Sequence, residues 1–218
     1  MAGVDGGQIL LIDKPYGWTS AQAVEWVKRR FRYRKAGHAG TLDPLATGLL
    51  IIGTETQTKA LTSIMGLPKE YYALIRLGYR TASDDAEFAP AWVGQPPVLS
   101  LSEWEAVLSA FRGEIWQQPP AFAAVKVQGK RAYALARAGE VPELPPRPVL
   151  VHALEVVHYD PPERLLLRIQ CGKGFYVRSL ARDIGEKLGC GGYLAALRRT
   201  AIGPYSVHQA IQPDAARP

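Results

Sequence analysis

The order of helix-like and strand-like segments constrains the fold of this chain more than any other feature. Short apolar runs typical of buried strands occur at 8–13, 48–53, 71–79, 149–159 and 164–171. Amphipathic stretches typical of helices occur at 19–31, 56–65, 100–111 and 177–188. Because the two kinds of segment do not alternate in the regular βαβ rhythm of a doubly wound fold, the pattern predicts an α+β fold with a mixed sheet.

Two of the predicted helices begin with capping boxes. Thr19 precedes Gln22, and Ser100 precedes Glu103, at the spacing that lets a hydroxyl and a longer polar side chain satisfy the first backbone N–H groups. The apolar face of the first helix is predicted to consist of Val24, Val27 and Phe31.

Residues 117–148 differ in composition from the sequence on either side. Proline pairs at 119–120 and 145–146 enclose a basic stretch near 130–138, which is predicted to form a small helix. We therefore expect 117–148 to be an insertion that stands off the core.

The composition excludes several classes of protein. Two cysteines and four histidines in 218 residues predict neither a disulfide scaffold nor a zinc site. No stretch approaches the roughly 20 apolar residues of a membrane span, and the first residues do not form a signal peptide, so a reducing cytoplasm is the expected location. The net charge of +6 fits a polyanionic partner, although a solvated basic surface would give the same number.

The positive charge is concentrated at 28–35 (KRRFRYRK), where six cations are interleaved with two aromatic residues. A charge run of this kind is often only a solvated helix end. Here it leads directly to Asp43, and no other acidic residue follows Glu25 before that position. Asp43 is therefore a lone carboxylate in a cationic neighbourhood, which would attract an RNA backbone and keep the carboxylate ionised.

Asp43 lies within a glycine-rich segment, 37–48 (GHAGTLDPLATG). Glycine lets a backbone approach a ligand closely, and Pro44 restricts Asp43 to an extended conformation. A capping aspartate in an ordinary turn would explain Asp43 alone but not the composition of the whole loop. The segment therefore predicts a stiff loop that displays the carboxylate.

A second candidate segment is 172–182 (GKGFYVRSLAR), where Arg178 and Arg182 lie one helical turn apart. The simpler interpretation is an amphipathic helix with exposed arginines. If Asp43 needs an orienting partner, Arg178 is a candidate, because a guanidinium can hold a carboxylate through two parallel hydrogen bonds.

No pattern in the sequence predicts a cofactor. The acidic turn at 84–87 lacks the ligand spacing of a calcium loop and is typical of a solvated loop. No phosphate-binding loop, dinucleotide signature or deaminase motif occurs either. The sequence therefore predicts neither a metal nor a nucleotide or redox cofactor.

Five motifs, in order along residues 8–205, resemble those of the bacterial tRNA pseudouridine-55 synthases, the TruB family. They are DKPYGWTS at 13–20, GHAGTLDPLATGLL at 37–50, KEYYALIRLG at 69–78, GKGFYVRSLARDIGEKLG at 172–189 and LRRTAIGPY at 197–205.

The resemblance implies the pseudouridine-synthase fold for 1–218, with a mixed central sheet, flanking helices and 117–148 as a thumb-like insertion that closes on an RNA stem-loop. It implies cofactor-free conversion of a uridine to pseudouridine in the T-loop of tRNA, at position 55. The implied partner is the T-arm stem-loop, bound by a monomer without metal or membrane.

The resemblance also implies roles for individual residues. Asp43 is the catalytic nucleophile or base, Arg178 pairs with it, and Tyr71 stacks on the uracil. Tyr176 and Leu197 line the uridine pocket, His38 helps to hold the flipped-out RNA conformation, and Lys14 supports the loop or a phosphate. Plain core packing remains an alternative for Tyr71 and Leu197.

Two departures from the family pattern affect the predicted site. In the stretch where the family has Thr-Asp-x-x-Asp-x-x-Gly, this chain has Thr81, Ala82, Asp85 and Phe88, so Asp85 is predicted only as a support residue. Only 200–218 follows the last motif arginine, so the RNA-binding domain of the PUA type found in longer members is expected to be absent or a stub.

The residues also allow other functions to be compared. A non-catalytic RNA-binding module or chaperone fits the charge but gives no reason for a lone aspartate between glycines. A synthase that acts on ribosomal RNA or depends on a guide RNA shares the Gly-Thr-Leu-Asp-Pro core, but guide-dependent relatives use partner proteins and a C-terminal RNA-binding domain. A glycosidase would need two carboxylates flanking the bond, and only Asp43 is well placed for this.

Overall fold

A computed structural model of the chain describes residues 6–123, 126–127, 130–131 and 144–214. The chain divides into two compact units. Unit 1 comprises Met1–Tyr72 and Leu197–Pro218, and unit 2 comprises Ala73–Ala196. No helix in the described ranges is long and apolar enough to cross a membrane.

The described helices are α1 (Ser20–Phe31), α2 (Leu61–Met65), α3 (Leu101–Ser109) and α4 (Val177–Lys187). The strands are β1 (Ile9–Lys14), β2 (Ala36–Ala39), β3 (Thr47–Thr54), β4 (Lys69–Leu77), β5 (Tyr79–Arg80), β6 (Ala91–Trp92), β7 (Gly113–Gln117), β8 (Lys126–Val127), β9 (Lys130–Arg131), β10 (Arg147–Asp160), β11 (Arg164–Cys171), β12 (Gly192–Ile202) and β13 (Tyr205–Ser206). Short 3-10 turns cover Glu55–Ala60 and Val207–Gln209.

Unit 1 is built around β3, whose residues from Gly48 onward are all buried. β3 pairs antiparallel with β1 and β2, and parallel with β12. Alternate residues of a strand face opposite sides, so β3 takes part in two cores. Leu50 and Ile52 pack in the cluster that contains α1 residues, whereas Leu49 and Ile51 pack in the cluster that contains α2 residues.

Unit 2 contains β4 from Ala73 onward together with β11, β10 and β7, in the sheet order β4-β11-β10-β7. β10 pairs antiparallel with both β11 and β7. β4 alternates strictly between buried and half-buried residues, and α3 and α4 bury Trp104, Leu108, Leu180 and Ile184. Together with the parallel pairing in unit 1, these features confirm the predicted α+β fold with a mixed sheet.

Several local predictions are confirmed and others are wrong. Both capping boxes are present, and Val24 and Val27 are buried. Phe31 is 37% exposed, so it does not belong to the core face of α1. It packs instead on Trp26 at the helix surface, with ring centroids 5.9 Å apart.

The predicted insertion at 117–148 is only partly described. Its two ends are register partners, because Gln117 of β7 lies opposite Arg147 of β10. The predicted helix near 130–138 is wrong at Lys130–Arg131, because these two residues form a strand that pairs with Lys126–Val127. The rest of that predicted helix, 132–138, lies outside the described residues.

Candidate active site

Asp43 lies in the short loop between β2 and β3 and is half-buried. Its own carbonyl accepts a hydrogen bond from the Ala46 N–H at 3.0 Å, which closes a tight turn over Pro44. Both chain neighbours of Asp43 are held by groups from outside the loop, as described below. The carboxylate is therefore presented from a backbone that has little freedom to move.

Ser20, the first residue of α1, holds the residue before Asp43. Its buried hydroxyl donates to the Leu42 carbonyl at 3.0 Å and accepts from the Leu42 N–H at 2.9 Å. One side chain thus satisfies both the N–H and the carbonyl of a buried residue. These two backbone groups would cost free energy if they were left unpaired.

Lys14 holds the residue after Asp43. Its fully buried ammonium donates to the carbonyls of Trp18, Pro15 and Pro44, the last at 3.3 Å. The Gly17 N–H donates to the same Pro44 carbonyl at 2.8 Å. Burial lowers the pKa of the Lys14 ammonium to about 8, although the nearby charge of Asp43 acts in the opposite direction. Lys14 therefore binds the carbonyl of the residue that follows Asp43.

Arg199 holds the beginning of the same loop from β12. It is 1% exposed; its Nε donates to the Leu49 carbonyl at 2.8 Å and its Nη2 to the Gly40 carbonyl at 2.9 Å. Gly48 has a φ of +104°, and a Cβ there would lie 2.2 Å from the Arg199 carbonyl oxygen. Only glycine fits this close approach of β3 to β12.

Sequence reasoning missed Ser20 and Arg199 as parts of the site. Both lie inside motifs quoted above, at 13–20 and 197–205, but nothing in their local sequence indicates which carbonyl each would bind. Arg198, beside Arg199, forms a two-point ion pair with Asp13, with N···O distances of 3.0 and 2.8 Å.

Three other predicted residues also lie in unit 1. His38 is in β2 opposite Ile52, and its buried Nδ1 has no hydrogen-bond partner among the described residues. Burial and the charge of Arg199 lower the pKa of His38, which favours the neutral imidazole. Tyr71 is 9% exposed in β4, and Leu197 is half-buried, with its carbonyl accepting from Thr47 Oγ1 at 3.5 Å.

Arg178 lies in the first turn of α4, in unit 2, and is 6% exposed. Its Nη1 donates to the Ser83 carbonyl at 3.3 Å and its Nη2 to the Phe122 carbonyl at 3.2 Å. Its Nε lies 3.9 Å from Asp85 Oδ2. The alternative interpretation of Arg178 as an exposed surface arginine is therefore wrong.

The acidic turn beside Arg178 is not the solvated loop that the sequence predicts. Asp85 is 6% exposed and accepts hydrogen bonds at Oδ1 from Ser83 Oγ at 2.5 Å and from the Glu87 N–H at 3.0 Å. Asp84 has a φ of +61°, and burial raises its pKa to about 6 even though Arg182 Nη1 lies 3.1 Å away. The turn is therefore buried and hydrogen-bonded rather than solvated.

Tyr176 immediately precedes α4. Its N–H donates to Gln117 Oε1 at 2.7 Å, and its carbonyl accepts from Gln117 Nε2 at 2.9 Å. Gln117 is 2% exposed, so its amide is a buried two-point clamp on the backbone of Tyr176. Gln117 was not among the residues predicted for the site.

The predicted residues therefore form two sets. Unit 1 contains Asp43, Lys14, His38, Tyr71 and Leu197, and unit 2 contains Arg178, Asp85 and Tyr176. The pairing of Arg178 with Asp43 joins residues of different units and stays a prediction.

Two family profiles match the chain. The profile described as "TruB family pseudouridylate synthase (N terminal domain)" matches residues 28–177, and the one described as "tRNA pseudouridylate synthase B C-terminal domain" matches 178–214. The chain belongs to the TruB family. Membership of the TruB family, predicted from the five motifs, is thereby confirmed.

TruB-family relatives match almost the whole chain. The tRNA pseudouridine synthase B of Leifsonia xyli subsp. xyli is 48% identical over 214 residues, which make up 95% of this chain and 71% of that protein. The tRNA pseudouridine synthase B of Arthrobacter sp. (strain FB24) is 45% identical over 208 residues, covering 93% of this chain and 68% of that protein.

Two solved structures of similar fold come from larger assemblies. A chain in a Cbf5-Nop10-Gar1 complex is 30% identical, with a TM-score of 0.74, over 95% of this chain and 52% of that chain. A chain in an H/ACA RNP bound to a substrate RNA containing 2′-deoxyuridine is 28% identical, with a TM-score of 0.70, over 96% and 51%. The TruB-family chain described here spans about half the length of these solved relatives.

Proposed function

We propose that this chain isomerises uridine to pseudouridine in the T-loop of tRNA, at position 55, with Asp43 as the catalytic carboxylate. The names of the bacterial relatives support tRNA as the substrate. The observation that carries the proposal for Asp43 is the fixation of its loop. Ser20 holds Leu42, and Lys14 holds Pro44, so the half-buried carboxylate between them is pre-positioned.

The reaction breaks the C1′–N1 glycosidic bond, turns the uracil, and joins C1′ to C5. The proton displaced from C5 balances the one gained at N1, so no oxidant or reductant is consumed. Such a step needs an ionised nucleophile or base near the sugar and a pocket from which water is excluded. The target nucleotide must first leave its stack, at a cost of a few kcal/mol.

In this proposal each side chain in unit 1 has a separate task. Asp43 acts as nucleophile or base, and Tyr71 stacks on the uracil. Leu197 lines the pocket from β12. His38 occupies space in the RNA loop, and its neutral imidazole avoids burying a second charge beside Arg199. Lys14 keeps the Asp43 loop in place.

The residues of unit 2 complete the proposal. Tyr176 lines the uridine pocket, and its backbone is held by Gln117. Arg178 orients the carboxylate of Asp43 and keeps it ionised, and Asp85 supports Arg178. Burial of Arg178 favours this role, because a guanidinium removed from water needs partners of high hydrogen-bonding capacity.

RNA binding is proposed to depend on exposed cations at the end of α1 and in the segment that follows. Arg29, Arg30, Arg32, Arg34 and Lys35 are all exposed. Phosphate contacts by such residues supply affinity without sequence specificity. Specificity would come from the stem-loop of the T-arm, bound by one copy of the chain, with 117–148 closing on it.

The direct test is incubation of the protein with an unmodified tRNA transcript, followed by mapping of pseudouridine. We expect a single new pseudouridine at position 55, and no product with Asp43→Asn. An isolated T-arm hairpin should also be modified. Product only in a ribosomal RNA fragment would support the alternative of a synthase for another RNA, and binding without product would support a non-catalytic module.

A further inference from the structure

Arg178 is held by two segments of unit 2 that are far apart in sequence. The turn at 81–88 supplies the Ser83 carbonyl and the Asp85 carboxylate, and the segment that follows β7 supplies the Phe122 carbonyl. Each carbonyl accepts from a different terminal nitrogen of the guanidinium. The direction of the guanidinium plane therefore depends on how these two segments are placed against each other.

The two segments contact each other directly through an aromatic pair. The rings of Phe88 and Phe122 have centroids 5.1 Å apart and planes inclined at 47°. Phe88 is 38% exposed, so the contact does not form part of the deep core. Phe122 itself supplies the carbonyl that accepts from Arg178 Nη2, so the ring contact acts on the same residue as the hydrogen bond.

A second, polar connection lies one helical turn further along α4. Arg182 donates from Nη1 to Asp84 Oδ2 at 3.1 Å and from Nη2 to the Gln118 carbonyl at 3.0 Å. Ser179 Oγ donates to the same Gln118 carbonyl at 2.7 Å. This connection holds the two segments to α4, but it reaches Gln118 rather than Phe122. The aromatic pair, by contrast, involves Phe122 itself.

We propose that Phe88 is a positioning residue for Arg178, acting through its ring contact with Phe122. The inference rests on the proposed role of Arg178 in turnover. Loss of the Phe88 ring frees Phe122 to shift, and the Arg178 guanidinium follows its carbonyl. A displacement of about 1 Å in a positioning group can cost on the order of a hundredfold in rate. Phe88 stands where the Thr-Asp-x-x-Asp-x-x-Gly stretch typical of the TruB family has glycine.

The test compares Phe88→Gly, Phe88→Tyr, Arg178→Lys and the double variant Phe88→Gly/Arg178→Lys. Single-turnover rates on an unmodified tRNA transcript are measured beside tRNA dissociation constants and thermal melts. Trp92→Leu is the matched control, because Trp92 is an exposed aromatic of unit 2 whose ring lies 5.2 Å from that of Tyr79.

We expect Phe88→Gly to slow the single-turnover rate by about tenfold or more, with tRNA affinity nearly unchanged, and Phe88→Tyr to restore most of the rate. The double variant should be about as slow as Arg178→Lys alone, because residues that act through one another are not additive. Trp92→Leu should turn over normally.

Three outcomes would overturn the inference. If Phe88→Gly turns over normally while Arg178→Lys is slow, Phe88 has no positioning role and the proposed function stands. If the two losses multiply in the double variant, Phe88 acts independently of Arg178. If Arg178→Lys itself is normal, the proposed role of Arg178 fails, and the inference fails with it. If Phe88→Gly melts at a lower temperature than the unaltered chain, Phe88→Leu replaces it in the same comparison. Leucine keeps an apolar side chain but lacks the ring.

Discussion

The hydroxyl of Ser20 both donates to the Leu42 carbonyl, at 3.0 Å, and accepts from the Leu42 N–H, at 2.9 Å. This double contact attaches the start of α1 to the residue immediately before Asp43. Thr19, the neighbouring hydroxyl residue, is exposed and caps the same helix through the Gln22 N–H instead. Two adjacent hydroxyls thus serve different purposes, one for the helix and one for the site.

Ser20→Ala should slow turnover by about tenfold to a hundredfold while leaving tRNA affinity nearly unchanged, because Leu42 loses both partners and Asp43 is less well aimed. The two unpaired backbone groups should also cost roughly 1–3 kcal/mol each in unfolding free energy. Thr19→Ala is the control. It should lose about 1 kcal/mol of stability as a helix cap but keep its rate. Equal rates for the two variants would mean that Ser20 does not position the loop.

Asp43→Asn should abolish turnover without altering the fold or tRNA affinity. The side chain keeps its size but loses the charge that bond making requires. Single-turnover assays with a filter-binding titration and a thermal melt would measure this. Residual activity within about tenfold of the unmodified chain would contradict the assignment, because loss of a catalytic nucleophile costs far more.

From the lowered pKa of Lys14 we predict that turnover declines at alkaline pH. In the fold its pKa is lowered by burial to about 8, against 10.5 for the free side chain. Loss of the proton near pH 8 removes the charge that holds the Pro44 carbonyl, so the single-turnover rate should fall there. The contribution of Lys14 to the unfolding free energy changes with pH in the opposite direction to the rate. Between the two pKa values the unfolded chain binds more protons, so this group raises the unfolding free energy as pH increases.

The control for this prediction is Lys14→Met, which has no group that titrates near pH 8. It should be slower at every pH and should lack the alkaline decline. The same decline in Lys14→Met and in the unaltered chain would assign the titration to another group.

Asp84→Asn should stabilise the protein at neutral pH. Burial raises the pKa of Asp84 from 3.8 to about 6, so the folded state prefers the protonated form despite Arg182. Between these values the folded state binds more protons, and stability falls as pH rises. At pH 7 the cost is roughly 3 kcal/mol, at 1.36 kcal/mol for each pKa unit. Asparagine resembles the neutral acid and tolerates the positive φ of this position.

Urea unfolding of Asp84→Asn at pH 4 and pH 7 would test this. We expect a gain at pH 7 and little change at pH 4, where Asp84 is protonated in the fold. A loss of stability at pH 7 would show that the Arg182 ion pair outweighs the burial of the charge.

Binding to tRNA should weaken steeply with salt, because cations that neutralise phosphates release counterions. Arg29→Gln/Arg30→Gln should weaken affinity and reduce the slope of log K against log salt by about two. Arg164→Gln, an exposed arginine paired with Asp160 in unit 2, is the control and should leave the slope unchanged. A slope near zero for the unaltered chain would exclude phosphate contacts as the main source of affinity.

The local patterns of this chain were predictable where neighbours in sequence decide them. β1, β3, β10 and β11 follow from apolar runs, and the capping boxes of α1 and α3 need only residues three positions apart. β12 was missed, because its Ala, Leu and Arg residues favour helix as much as strand. Its strand conformation comes from pairing with β3 and β13. β2 was missed because it lies inside the glycine-rich segment.

The sequence by itself determined the family, the mixed α+β class and the singular position of Asp43, since motif order, apolar period and the distribution of charge are all written along the chain. Only the tertiary structure decided which groups hold that aspartate's loop. Ser20, Lys14 and Arg199 bind backbone carbonyls that are 22, 30 and 159 residues away. A carbonyl is the same group in every residue, so no local pattern marks which one a distant side chain will meet; packing of the whole unit makes that choice.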